Sequence, residues 1–197
     1  MSKNQGFIII LLTIIVLGSI FFLNKNEIVS NVSEKVYKET IKKIDKRFNS
    51  DYIFETVDGT KLEIDVEDNA FHIKGLEHKT LFLKIFGWDC NFCQKEIPQL
   101  IKLKKELSDS FEIIAIEAQE HSIDESKEAI KKYGINYYIV QGDKHKDFYH
   151  YLQVKYGWTG VIPLTIVVAK GGKVLAFEIG KKSYSLSELM KAALLRN

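Results

Sequence analysis

The spacing of apolar and polar residues divides the chain into three zones. Residues 1–24 are dominated by an uncharged apolar run, and residues 25–50 carry apolar side chains three to five positions apart with charges between them. From residue 51 onward, short apolar runs alternate with longer amphipathic segments. The pattern therefore predicts a hydrophobic N-terminal segment, a helical stem and a folded domain over residues 51–197.

The uncharged run in the first zone, residues 7–23, is near the lower length limit for a membrane-spanning helix. We predict an uncleaved membrane anchor, with a signal peptide cleaved after Gly18 as the alternative. Lysines are more numerous after the run than before it, and the positive-inside rule alone would hold the following domain in the cytosol. A short N-terminus before a signal-like segment usually stays inside. We therefore expect the domain to be extracytoplasmic, in the periplasm or on the outer face of the membrane.

The second zone predicts an amphipathic helix that packs against the domain or lies on the membrane surface. A parallel coiled-coil dimer is an alternative, although the register of the apolar positions is irregular. The sequence leaves the oligomeric state open. The apolar positions are Ile28, Val32, Val36, Ile41, Ile44 and Phe48.

The third zone alternates between strand and helix patterns and contains a hairpin signal at Asp58, Gly59 and Thr60. Such alternation, followed by a hairpin and a last helix, predicts a three-layer α/β/α domain with a mixed sheet. The last helix should begin with a capping box formed by Ser185 and Glu188. The predicted strands are residues 52–57, 61–66, 80–86, 111–118, 137–140, 164–169 and 173–179, and the predicted helices run from the cysteine pair to residue 107 and over residues 122–133, 144–154 and 185–195.

Length and charge exclude few functions, but they argue against nucleic-acid binding. The chain has 197 residues, a formal net charge of +2 and lysines mixed with acidic residues along its length. This pattern is typical of a solvated surface and gives no indication of nucleic-acid binding, so we expect no nucleic-acid partner.

The two cysteines of the chain, Cys90 and Cys93, stand three positions apart after an apolar strand pattern and at the start of a helical one. Residues i and i+3 share one face of a helix, so the two sulfurs can reach each other. The helix N-terminus favours an anion, and a thiol there loses its proton more readily than a free thiol with a pKa of about 8.5. The pair is therefore interpreted as a reversible dithiol/disulfide couple that needs no cofactor.

Other interpretations of the pair lack supporting residues. A structural zinc site needs four ligands, and the five histidines show no ligand spacing, so we expect no metal. Covalent haem attachment needs histidine after the second cysteine, where Gln94 stands. An inert structural disulfide is an alternative, but a bridge that closes so short a loop constrains the unfolded chain little.

Four segments of the third zone resemble the thioredoxin superfamily, and within it the membrane-attached TlpA/ResA/CcmG-type thiol–disulfide oxidoreductases. Residues 90–100 follow the group's C-x-x-C-x-x-E-x-P-x-L pattern, and residues 156–163 resemble its Y-G-x-x-G-x-P segment with one extra residue. Residues 75–79 resemble its glycine–lysine turn, and residues 172–180 resemble its last hairpin. The resemblance implies a thioredoxin-like fold.

Site roles follow from helix position and from this resemblance. Cys90 is the more exposed sulfur and the expected attacker, and Cys93 would then displace the partner. The resemblance implies that Glu96 exchanges a proton with the buried thiol, the alternative being an ordinary solvated glutamate. It also implies a cis peptide bond before Pro163, which would expose the backbone of Ile162 to an extended substrate strand. The alternative for Pro163 is a simple strand-start proline.

Four further residues depart from the family pattern. Lys84 lies in the central strand where relatives place Asp or Asn, and a lysine near the sulfurs would favour the thiolate unless it reaches to the surface instead. Asp89 stands where the family usually has tryptophan, and its charge opposes thiolate formation. Trp88 lies one position earlier, where we expect contact with substrate. Leu164 replaces the usual threonine after the proline.

The combined expectation is an anchored extracytoplasmic protein-disulfide reductase. Its partners would be a membrane thiol that donates electrons and an exported protein that carries a disulfide, with apocytochrome c as the natural substrate by resemblance. Two alternatives remain open. One is an oxidant that introduces disulfides, and the other is a metal-delivery or assembly factor that uses the dithiol as a soft ligand pair for Cu(I).

Overall fold

The structure is a computed structural model, and it describes residues 51–196, all of which belong to one compact unit. The predicted anchor over residues 1–24 and the predicted stem over residues 25–50 lie outside the described residues. No helix among residues 51–196 is long and apolar enough to cross a bilayer.

The elements of residues 51–196 alternate between strand and helix from the fourth strand to the seventh, and the eighth strand and the last helix follow. A 3-10 turn, Gly142–Lys144, precedes the third helix. The strands are β1 (Tyr52–Glu55), β2 (Lys61–Glu67), β3 (Ala70–Ile73), β4 (Thr80–Phe86), β5 (Phe111–Glu117), β6 (Tyr138–Gln141), β7 (Leu164–Val168) and β8 (Val174–Ile179). The helices are α1 (Asn91–Leu107), α2 (Ile123–Tyr133), α3 (Lys146–Tyr156) and α4 (Leu186–Leu194).

Two sheets organise these elements. The larger sheet has the order β6-β5-β4-β7-β8, in which β4, β5 and β6 are parallel while β7 and β8 run antiparallel to their neighbours. The smaller sheet is an antiparallel β1-β2-β3 meander. The predicted mixed sheet is therefore confirmed, and so is the hairpin between β1 and β2.

The central strand β4 is buried on both faces and divides the core in two. Alternate side chains of a strand point to opposite faces. Leu83 and Ile85 belong to one apolar cluster, whereas Phe82 and Phe86 belong to the other. Lys84 lies on the same face as the two phenylalanines, which is the face covered by α1.

The layers on the two faces of the larger sheet differ in kind. Helices α1, α2 and α4 supply side chains to one cluster, whereas α3 and the small β1-β2-β3 sheet supply side chains to the other. The three-layer prediction therefore holds with one correction, because one outer layer contains a sheet as well as a helix. The sequence predicts the β1-β2 hairpin but not β3, the third strand of this small sheet.

Helix ends follow the local capping signals. The predicted capping box of Ser185 and Glu188 is present at the start of α4, and Ser122 and Glu125 form a second one at the start of α2. In each box the serine hydroxyl accepts the N–H of the glutamate, and the carboxylate accepts the N–H of the serine. Pro98 lies inside α1.

Candidate active site

The two sulfurs lie at the N-terminus of α1, joined as a disulfide with the Cα atoms 5.2 Å apart. Cys90 is the N-cap residue, and its Sγ accepts the main-chain N–H of Cys93 at 3.2 Å. The side chain of Cys93 is 2% exposed, whereas Cys90 is only partly buried. The structure thus places Cys90 nearer the surface, as its helix position predicted, so an incoming sulfur can approach Cys90 first.

A buried polar cluster lies one helical turn beyond the disulfide. The Lys84 Nζ donates to Glu96 Oε2 at 2.7 Å and to Thr165 Oγ1 at 2.6 Å. The Lys182 Nζ donates to the second carboxylate oxygen, Glu96 Oε1, at 3.1 Å. The alternative that Lys84 reaches the surface is wrong, because its side chain is 1% exposed. Glu96 is also buried rather than solvated.

The geometry of the strands explains this cluster. β4 pairs with β7 in a register that sets Lys84 opposite Thr165. A lysine in a fully buried strand needs an anionic partner, and Glu96 supplies it from α1. Glu96 lies three residues after Cys93, on the same face of the helix. The cluster therefore holds a carboxylate one helical turn after the buried sulfur, and two ammonium groups bind that carboxylate.

Burial is the main influence on the acidity of Lys84. Desolvation in the core lowers the pKa of Lys84 to about 8, while the Glu96 carboxylate opposes this shift and the Lys182 ammonium adds to it. The Lys84 ammonium consequently gives up its proton far more readily than an exposed lysine does.

This lowered pKa predicts a specific pH dependence of stability. Between pH 8 and pH 10.5, the folded state has released the Lys84 proton that the unfolded state still binds, so stability rises with pH across this window. The free energy of unfolding of the native protein, relative to that of Lys84→Met, should rise by about 3 kcal/mol between about pH 7 and about pH 10.5. Urea unfolding of both proteins across this range measures the difference. Parallel pH curves would contradict the assignment.

Trp88 lies inside the protein rather than on its surface. Its side chain is 6% exposed, and its ring packs edge-on against Phe86 and parallel to Tyr133. The indole Nε1–H donates to Ser126 Oγ at 3.2 Å, which in turn donates to Gln141 Oε1 at 3.1 Å. These contacts fix the loop before Cys90 and leave little of the Trp88 side chain for the substrate contact that the sequence predicted.

Asp89 forms the exposed edge of the same loop. Its carboxylate Oδ2 lies 3.1 Å from His121 Nε2, and its main-chain N–H donates to Gln119 Oε1 at 2.8 Å. The Asp89 side chain is 74% exposed, so solvent weakens its influence on Cys90. The structure adds His121 as the partner of the Asp89 carboxylate, and the influence of Asp89 on Cys90 stays a prediction.

A buried carboxylate, Glu117, holds the loop that carries Gln119 and His121. It is 1% exposed at the end of β5, and it accepts the main-chain N–H groups of Gln119 at 2.9 Å and of His121 at 3.1 Å. Burial raises the pKa of Glu117, although these hydrogen bonds oppose the shift. Glu117 thereby orients the loop next to Asp89.

The loop before β7 contains the cis bond that the resemblance implied, between Ile162 and Pro163. Ile162 packs against both apolar clusters, one of which contains Cys93. The Trp158 Nε1–H donates to the carbonyl of Val161 at 2.8 Å, and the Gly180 N–H donates to the carbonyl of Pro163 at 2.7 Å. Contacts on both sides of Ile162 thus fix this loop despite its extra residue.

Sequence reasoning missed four residues of this region. The usable signal was Lys84 itself, because a charge inside an apolar strand requires a partner. No local pattern marks which residue that partner is. The missed residues are Glu117, His121, Thr165 and Lys182.

Across residues 51–196, no group of three or more His, Cys, Asp or Glu side chains is arranged to hold a metal ion.

Comparison with known proteins agrees with this geometry. Residues 55–177 match the AhpC/TSA family. The thiol-disulfide oxidoreductase ResA of Bacillus thuringiensis (strain Al Hakam) is 29% identical over 120 residues, which cover 60% of this chain and 65% of that relative. The chain thus matches just under two thirds of the length of this curated relative.

Two solved structures share the fold. A thiol:disulfide interchange protein of the thioredoxin family from Chlorobium tepidum TLS superposes with a TM-score of 0.57 at 22% identity, covering 73% of this chain and 92% of that one. StoA from Bacillus subtilis gives a TM-score of 0.52 at 18% identity, with coverages of 73% and 95%. The thioredoxin-like fold predicted from the sequence is therefore confirmed.

Proposed function

Because the chain belongs to the AhpC/TSA family, we propose that its folded domain is the catalytic part of a thiol–disulfide oxidoreductase similar to ResA. The observation that carries the proposal is the arrangement of the two sulfurs. Cys90 is accessible at the N-cap of α1, and Cys93 is buried one turn later beside a polar cluster. This asymmetry suits an attacking thiol and a resolving thiol.

The first step uses Cys90 in the reduced protein. Its thiolate attacks one sulfur of a substrate disulfide, a mixed disulfide forms, and the other substrate sulfur leaves as a thiolate that takes a proton from solvent. The helix N-terminus favours the negative charge on Cys90 before the attack. The accessible position of Cys90 allows the in-line approach that this exchange needs.

Cys93 performs the second step. Its thiol loses a proton, and the thiolate attacks the Cys90 sulfur, which releases the substrate as a second thiol and leaves the Cys90–Cys93 disulfide. The substrate has then gained two electrons and two protons. A dithiol donor must return them by the reverse exchange, and we assign this role to a membrane thiol.

In the buried cluster, we assign Glu96 as the group that accepts the proton of Cys93. The carboxylate of Glu96 lies three residues after Cys93 on the same helix face, and Lys84 and Lys182 each donate a hydrogen bond to one of its oxygens. Lys84 acts as a positioning and tuning residue, because its ammonium holds Glu96 through a 2.7 Å hydrogen bond and does not lie in the path of the substrate.

Ile162 provides the main-chain contact for the substrate. Among the hydrogen bonds within residues 51–196, neither the N–H nor the C=O of Ile162 has a main-chain partner. An extended substrate segment beside Pro163 could pair with both groups as an added strand. Such pairing is independent of sequence and places the substrate disulfide over Cys90.

The direction of electron flow and the location follow from the resemblance to ResA-type proteins. We propose reduction of disulfides in exported proteins, with apocytochrome c as the substrate, on the extracytoplasmic side of a membrane to which residues 1–24 anchor the domain. A compartment reporter fused after Asn197 tests this location, because activity of a cytoplasm-only reporter contradicts it.

The reduction potential of the Cys90–Cys93 pair tests the reductase assignment. The resemblance to ResA implies a dithiol that reduces other disulfides, so its reduced form should not be strongly stabilised. We expect a potential near that of thioredoxin, about −270 mV, from thiol quantification in redox buffers. A potential near that of DsbA, roughly −120 mV, would contradict reduction and favour an oxidant.

A further inference from the structure

One of the two exposed residues between the cysteines is aromatic. Phe92 is 43% exposed, an unusual position for a large apolar side chain. Two ammonium groups lie near its ring, with Lys95 Nζ 5.7 Å and Lys181 Nζ 5.8 Å from the ring centroid. Both distances are within the range of a cation–π contact. The surface beside Cys90 therefore combines an exposed aromatic ring with two positive charges.

Neither of these two lysines is neutralised by a carboxylate of the described domain. Within residues 51–196, neither Lys95 nor Lys181 forms an ion pair, and both side chains are exposed. The nearby acids have other partners, because Glu96 binds two different lysines and Asp89 binds His121. The positive charge at Phe92 is consequently available to a ligand.

A second exposed apolar side chain lies in the loop of the cis peptide bond. Val161 is 48% exposed, and its Cγ1 lies 3.9 Å from the position that a Cβ on Gly180 would take. Gly180 directly precedes Lys181, so Val161 lies beside the backbone that carries one of the two ammonium groups. We call the four side chains of Phe92, Lys95, Val161 and Lys181 the basic rim.

We propose that the basic rim selects substrates in which the reactive cysteine is flanked by an acidic residue within an extended, partly apolar segment. The proposal rests on the proposed function and specifies its substrate class. Charge complementarity supports it, because two unpaired ammonium groups border the surface that a substrate must cover to reach Cys90. An extended segment that pairs with the main chain of Ile162 would pass over this surface.

Strand geometry sets where the acidic residue lies. In an extended segment, residues i and i+2 point to the same side, about 6.6 Å apart. The substrate cysteine must point at Cys90, so a residue two positions away points at the same protein surface. A glutamate or aspartate there brings its carboxylate to Lys95 or Lys181, and apolar side chains on the same side of the segment cover Phe92 and Val161.

Binding of unreactive peptides tests the inference without any redox chemistry. The protein is kept oxidised, and the probes are extended peptides with serine in place of cysteine, so no mixed disulfide forms. One peptide has glutamate two positions from the serine, and the control peptide has the same composition with that glutamate moved to the far end. We expect the first peptide to bind about 3- to 10-fold more tightly in calorimetry at low salt. The preference should shrink in about 0.5 M salt.

Variants of the rim identify the residues responsible. Lys95→Gln and Lys181→Gln should each reduce the preference for the acidic peptide about 2- to 5-fold, and the double variant should abolish it. Lys105→Gln is the matched control, because Lys105 is exposed on α1 but away from Phe92. It should leave the preference unchanged.

Two outcomes overturn the inference and are distinguishable from failure of the proposed function. Equal binding of the two peptides overturns the inference alone if the reduced protein still reduces a neutral peptide disulfide. A preference that Lys105→Gln lowers as much as Lys95→Gln also overturns it, because the effect is then one of overall charge. If the reduced protein reduces no peptide disulfide, the proposed function is wrong, and so is the substrate class inferred from it.

Discussion

Cys93→Ser should leave the protein covalently linked to its substrate. Without the second thiol, the mixed disulfide formed by Cys90 cannot be resolved, so it accumulates while multiple-turnover reduction stops. The chain contains only two cysteines, so any adduct of this variant must pass through Cys90. Non-reducing electrophoresis and mass spectrometry of the variant, mixed with a disulfide-containing peptide or with extracts, measure the adduct.

The reciprocal variant tests the order of the two sulfurs. Cys90→Ser keeps only the thiol that is 2% exposed, so it should yield at least about ten-fold less adduct than Cys93→Ser. The double variant should yield none. Equal adduct from the two single variants would contradict the assigned roles, and stoichiometric Cu(I) binding by the native protein without adduct from either variant would favour a metal-delivery protein instead.

Glu96→Gln should cause the largest loss of stability among changes to the buried cluster. The substitution keeps the size of the side chain but removes the anion that binds both Lys84 and Lys182. Two ammonium groups with exposures of 1% and 4% would then face each other without a counter-charge. Removing one partner of a buried ion pair costs about 3–5 kcal/mol, and urea unfolding near neutral pH should show a loss of this size.

The same cluster supplies the controls for this measurement. Lys84→Met should cost less than Glu96→Gln, because the carboxylate keeps its hydrogen bond to Lys182, and adding Lys84→Met to Glu96→Gln should recover part of the loss. Glu106→Gln removes an exposed carboxylate from the same helix, where it pairs with Lys102 at 3.8 Å, and should cost less than about 0.5 kcal/mol. Equal losses for Glu96→Gln and Glu106→Gln would contradict the role of the cluster.

Local patterns explain which elements were predictable. The strand over residues 80–86 was predicted with the bounds that the structure has, because an uninterrupted apolar run is typical of a strand buried on both faces. The capping box at Ser185 was predictable because both of its residues lie within one helical turn. β3 was missed because the turn before it contains no glycine and depends instead on the left-handed conformation of Asn69, with φ of 62°.

The amino-acid sequence by itself determined the strand–helix order of the domain, the placement of Cys90 and Cys93 at a helix start and the membership of a thioredoxin-like family, because these depend on neighbours within a few residues. Only the tertiary structure decided that Glu96 binds Lys84 and Lys182, since Lys182 lies 86 positions further along the chain. Such pairing depends on how β4, α1 and the segment after β8 pack together. Away from water, each of these charges needs a partner of opposite charge to offset the free energy lost on desolvation.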